Sequence, residues 1–167
     1  MERRIYLDSS ILMPLVDPNA RPEQIKNSKE IIGRLNYFRE RKEAKVIVSQ
    51  TVIGEVCSKI YEKIKDQISL SKSLPNLIEL KEYIDECPPL KKDVVNIAVE
   101  LAKKDYSFET SFQDAIIVSH AICDPLSTHF ITTDASILKS KDFIELVKEF
   151  YQKRERENIL IITDYLR

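Results

Sequence analysis

Four short runs rich in β-branched and aromatic residues, separated by longer segments of helical periodicity, limit what this chain can fold into. The runs are Arg4 to Asp8 (RIYLD), Lys45 to Ser49 (KVIVS), His129 to Thr133 (HFITT) and Asn158 to Thr163 (NILIIT). A strand with one wet face alternates apolar and polar residues, whereas these runs are nearly continuous and predict strands buried on both faces. Apolar residues recur with a period of 3.6 over Pro22 to Lys42, Thr51 to Ile68, Leu90 to Lys104, Ser111 to Cys123 and Asp142 to Lys153. Strand and helix alternate. The expected fold class is α/β, a three-layer α/β/α sandwich around a central, mainly parallel sheet of four to five strands.

The chain has 167 residues, 43% of them hydrophobic, which suffices for one core and predicts a single domain over residues 1–167. Ser69 to Pro89 carries Pro75 and the Pro88-Pro89 pair, and reads as an appendage within it, a loop with one short helix from Asn76 to Asp85. No apolar run approaches the ~20 residues of a membrane span, and the apolar stretch before Asp8 is too short for a signal peptide. A cytoplasmic protein without a membrane partner is expected.

Several chemistries are excluded by composition. The only glycines, Gly33 and Gly54, belong to no phosphate-wrapping pattern. Cys57, Cys87 and Cys123 are odd in number and far apart, and His120 and His129 complete no zinc spacing with them. Lys and Arg number 26 against 27 Asp and Glu, so a net charge of −1 supplies no global field to attract nucleic acid.

Ligands of an open parallel sheet bind beyond the carboxyl ends of its strands. Asp8 closes the first run, Glu55 follows the second by about one helical turn, and Asp134 directly follows HFITT. Asp114 opens the Ser111 helix and joins them if that helix starts at the same end. Singly, Asp8 and Asp134 read as helix N-caps, and Ser111 to Asp114 as a capping box. Glu55 caps nothing. Capping gains a carboxylate only about 0.3–1 kcal/mol from the helix dipole, whereas two carboxylates ~4 Å apart repel by about 4 kcal/mol. If the four acids meet, some must protonate or a divalent cation must sit among them. All-oxygen ligands select Mg²⁺ or Mn²⁺, and such an ion activates water against a phosphodiester. Ser9, Thr132 and Thr133 flank the acids and are candidates to orient a carboxylate or water.

In this order, YLDSSIL (Tyr6 to Leu12), SQTVIGEV (Ser49 to Val56), SFQDAIIVSHA (Ser111 to Ala121) and FITTDASIL (Phe130 to Leu138) resemble the motifs of a PIN domain, the ribonuclease fold of VapC-type toxins and of several RNA-processing factors. The resemblance spans most of the chain. It implies Mg²⁺ or Mn²⁺ at Asp8, Glu55, Asp114 and Asp134, and endonucleolytic RNA cleavage leaving 5′-phosphate and 3′-hydroxyl ends. The resemblance admits two roles, the toxin of a toxin-antitoxin pair with an antitoxin-like protein partner, or an RNA-processing or decay nuclease; many PIN proteins dimerise, which admits a homodimer, and the extra material over Ser69 to Pro89 departs from the smaller toxins.

RNA contact falls to local features, with Lys139 and Lys141 the basic residues nearest Asp134 in sequence and Tyr106 or Phe108 as stacking aromatics. Two other readings stand beside the nuclease. One is a catalytically idle PIN domain that binds RNA or protein. The other is a phosphotransferase with Asp8 as nucleophile, against which Ser10 counts, because such enzymes resemble D-x-D-x-T at this point.

Overall fold

A computed structural model of the chain describes residues 2–64, 67–104, 111–153 and 160–165. The strands are β1 (Arg3–Leu7), β2 (Ala44–Ile47), β3 (Ser127–Ile131) and β4 (Ile161–Thr163). The helices are α1 (Ser9–Val16), α2 (Pro22–Glu40), α3 (Gln50–Lys63), α4 (Gln67–Glu79), α5 (Lys92–Lys104), α6 (Phe112–Cys123), α7 (Ala135–Lys139) and α8 (Lys141–Lys153), with a 3₁₀ turn at Leu80–Tyr83. The strands form one sheet in the order β2-β1-β3-β4, and each neighbouring pair runs parallel.

Burial follows the sequence pattern. Ile5, Tyr6 and Leu7 of β1 and Phe130 and Ile131 of β3 are all buried, as strands covered on two faces must be. On the edge strand β4, Ile161 is exposed. The chain leaves β1 to one side to form β2, then returns past β1 to form β3 and continues to β4. Right-handed crossovers are the rule for such connections, so the two directions of travel place their helices on opposite faces. Packing of α1 on α2, and of α6 on both α5 and α8, accords with two such layers. The fold is thus α/β with a four-stranded parallel sheet flanked by helices, as the alternating pattern predicts.

The expected helix from Thr51 to Ile68 is two elements. α3 stops at Lys63, where Ile64 takes an extended backbone as C-cap. The expected helix from Asn76 to Asp85 is instead α4, which begins at Gln67 and runs through Pro75, followed by the 3₁₀ turn. Serines and a proline argue against a helix by propensity alone; packing of α4 against α1 and α3 overrides that preference. The chain that follows is tied to the sheet and to the helices. Ile47 forms a parallel bridge with Glu86, and the Val46 amide donates to Asp85 (2.7 Å). Arg39 grips Asp85 with two nitrogens, at 2.9 and 2.7 Å, while Arg4 of β1 holds Glu86 and, on its other side, Asp124 at the end of α6. The described part of the Asn158 to Thr163 run begins at Leu160.

Phe130 sits fully buried in a central strand and Ile161 on the exposed edge. Phe130→Ala should therefore lower unfolding free energy by about 3–5 kcal/mol in urea denaturation, and Ile161→Ala by no more than ~0.5 kcal/mol.

Candidate active site

Where consecutive connections of a parallel sheet depart to opposite faces, a crevice opens beyond the carboxyl ends of the two strands concerned. Here those strands are β1 and β3, and the residue after β1 is Asp8. Its amide donates to the Ile131 carbonyl (3.0 Å), which locks the end of β1 against the end of β3. Asp8 is 3% exposed. Its Oδ2 accepts from the Ser10 amide (3.3 Å), capping α1, and from the Thr132 hydroxyl (2.8 Å). The same Thr132 oxygen accepts from the Asp134 amide (3.0 Å), so one buried hydroxyl fixes the positions of two of the four predicted acids.

Asp134 caps α7 through Oδ1, accepting from the Ser136 amide and hydroxyl (both 2.7 Å). Asp114 and Ser111 form the expected capping box at the start of α6, with Ser111 donating from its amide (2.8 Å) and hydroxyl (2.9 Å) to Asp114 Oδ2. Glu55 lies one turn into α3 and is buried. Its Oε1 pairs with Lys59, and its Oε2 is buried with no hydrogen-bond partner among the described residues. The helices that carry Glu55 and Asp114 are joined by Thr51 and His120, whose Oγ1 and Nε2 lie 3.1 Å apart. Burial pushes the His120 imidazole down to about 4, so the tie is made by a neutral ring.

All four acids gather at this one edge and act on one another. Burial, and then the charge of Glu55, push the Asp8 carboxyl above its ordinary range, against hydrogen bonds from Ser10 and Thr132 that pull it down. Asp114 is raised likewise by burial and by the charges of Asp8 and Asp134, with the Ser111 bonds opposing. Among the described residues, however, no three Asp, Glu, His or Cys side chains stand as a ready ligand set for one metal ion. One oxygen of each acid is also engaged, those of Asp8, Asp114 and Asp134 at helix starts and that of Glu55 with Lys59. The donor chemistry still suits a hard cation, and Glu55 Oε2 is an orphaned buried oxygen of the kind such an ion satisfies.

The flanking hydroxyls divide the work differently from the sequence expectation. Ser10 joins this network: its amide donates to Asp8, and its hydroxyl lies 3.2 Å from Thr132 Oγ1 and accepts from the Thr133 amide (2.9 Å). Ser9 is buried in the first turn of α1. Thr133 faces the helix, and its hydroxyl donates to the Ser10 carbonyl (3.4 Å). Pro14, four residues on, has no N–H to offer that carbonyl. The D-S-S-x-x-x-P pattern carries this signal, since a proline inside the first helix frees the Ser10 carbonyl for a partner outside it. Lys139 ends the helix that Asp134 caps, Lys141 begins α8, and both are exposed. Tyr106 and Phe108 lie outside the described residues.

No family model and no curated protein matches the chain. Solved structures do. Mycobacterium tuberculosis VapC20, a sarcin-ricin loop cleaving toxin, superposes with a TM-score of 0.58 over 82% of this chain and 95% of its own, at 17% identity. The chain has a VapC-like PIN-domain fold. VapBC2 from Rickettsia felis, in a structure bound to a DNA fragment from their promoter, matches with a TM-score of 0.54 over 95% of this chain and 98% of its own, also at 17% identity. Identity this low carries the architecture and leaves the chemistry to be argued from the side chains of this PIN-like fold.

A buried carboxylate whose pKa is raised on folding stabilises the protein below its ordinary value of 3.8, and that stability is lost as pH rises through the raised value. Metal-free Asp8→Asn, which keeps an acceptor for Ser10 and Thr132, should therefore melt above the wild type at pH 7. The difference should vanish near pH 4, as followed by calorimetry in EDTA.

Proposed function

We propose that this protein is a metal-dependent endoribonuclease that hydrolyses RNA phosphodiester bonds. What supports the reading is charge coupling through space, Glu55 acting on Asp8 and both Asp8 and Asp134 acting on Asp114, beyond the β1 and β3 ends of a VapC-like fold. These four residues would hold Mg²⁺ or Mn²⁺, and such an ion activates water and neutralises charge developing on the phosphoryl group. The chain's own residues prepare the place. Thr132 and Ser10 fix the rotamer of Asp8, the Asp134 amide is drawn to Thr132, and Ser111 orients Asp114. Side chains pinned in this way hold ligand oxygens in position without a further entropy cost when the ion enters. Lys139 and Lys141 are exposed on the chain just beyond Asp134 and suit phosphate contact.

In toxin-antitoxin terms this chain is the nuclease member, with an antitoxin-like protein as partner and a homodimer as its working form. Support for the toxin role and the protein partner comes from the likeness to VapC20 and to VapBC2; the homodimer stands as part of the proposal alone. No helix of the described residues is long and apolar enough to cross a membrane. The alternative, an idle PIN domain that binds RNA or protein, draws on the Lys59 pair, which occupies Glu55 Oε1. Metal binding by calorimetry without turnover on any RNA offered is its signature.

Purified protein with Mn²⁺ should cleave single-stranded or hairpin RNA to products with 5′-phosphate and 3′-hydroxyl ends, and EDTA should abolish cleavage. Asp8→Asn and Asp134→Asn should each lower kcat about 10²-fold or more, read by gel and end-labelling. Cleavage that survives EDTA, or that persists in Asp8→Asn, overturns the proposal.

A further inference from the structure

The candidate site contains a cation of its own. Lys59 lies one turn beyond Glu55 on α3, and its ammonium is bonded to Glu55 Oε1. Glutamate followed by lysine four residues later is common on solvated helix faces, but this pair is lopsided: the Lys59 side chain is 47% exposed and that of Glu55 only 6%. The lysine therefore reaches from solvent down to a buried carboxylate. Asp8 and Asp114 act on the same ammonium through space, so it sits in the combined field of three of the four acids. The other lysine on this helix, Lys63, is held by Asp17 at 2.8 Å.

We propose that Lys59 is the resident counter-ion of the acid cluster, occupying at Glu55 the position that a divalent cation must take, so that it sets the affinity of the site for Mg²⁺ or Mn²⁺ and is displaced as the ion enters. The inference rests on the metal-dependent reading given above. The exchange is physically reasonable on both sides. An ammonium on a flexible, half-exposed stem swings into water readily. A divalent ion brings twice the charge to the same carboxylates and supplies a partner for Glu55 Oε2, which Lys59 leaves unsatisfied. Lys59 also explains why the acids stand together without a ready ligand set among the described residues.

The test is calorimetric titration of Mn²⁺ into the full-length wild type and Lys59→Met at low salt, paired with melting curves in EDTA. Without the competing charge, Lys59→Met should bind Mn²⁺ at least about tenfold more tightly. In EDTA it should melt below the wild type, because Glu55 stays buried without its partner, and Lys59→Met combined with Glu55→Gln should recover the loss. Equal or weaker Mn²⁺ affinity in Lys59→Met, or an unchanged melting temperature in EDTA, overturns this proposal and leaves the metal reading standing. No Mn²⁺ binding by either protein overturns both. A readout on the wild type needs no variant: the Lys59 ammonium ¹⁵N and ¹H resonances should shift with Mg²⁺ along a saturable curve, and a signal that Mg²⁺ leaves unmoved overturns the displacement.

Discussion

The hydrogen bond from the Asp8 amide to the Ile131 carbonyl marks the point on which the site depends, because it joins the ends of two parallel strands whose onward connections leave for opposite faces. A crevice at that junction follows from topology before any side chain is considered. Thr132 then converts the backbone geometry into side-chain geometry. Donating to Asp8 and accepting from the Asp134 amide, it sets two acids from opposite ends of the sequence in fixed relation. Carboxylates brought together this way repel, and the fold tolerates them by spending hydrogen bonds and one lysine on them.

Capping and ligation are commonly treated as competing explanations for an aspartate at a helix start. In this fold they coincide. Asp8, Asp114 and Asp134 each cap a helix with one oxygen, which leaves the second outside the capping bonds and fixes its direction. Since a cap is worth only about 1 kcal/mol, it aligns a carboxylate without trapping it. α1 and α7 start at this end because the parallel strands β1 and β3 deliver the chain there, whereas α6 follows α5 and leads back into β3, and the N-terminal dipoles of the three offset part of the repulsion.

The layered architecture was legible in the near-continuous apolar runs, and Asp8, Glu55 and Asp134 in the recurrence of an acid just past a strand; Asp114 follows no strand and joins them only through the direction of α6. What escaped depended on details of backbone direction. In the Ser9-Ser10 pair, sequence cannot tell which hydroxyl turns toward β3; the extended backbone of Asp8 as N-cap decides for Ser10. Glu55 and Lys59 have the spacing of an ordinary surface pair, and only the packing of α3 shows that one member is buried. The α4 helix was masked by Pro75 and by serines whose weak propensity gives way to tertiary contact.

The bridge between Ile47 and Glu86 closes the β2 side of the sheet with the chain's own backbone. Trimming the segment after α3 to imitate a smaller relative would strip that cover, since Asp85 and Glu86 bind the β2 backbone, Arg39 and Arg4. An engineered minimal version would then present bare amides and carbonyls along β2, inviting strand addition from other molecules. The segment that carries Asp85 and Glu86 thus covers an edge of the sheet that would otherwise be open.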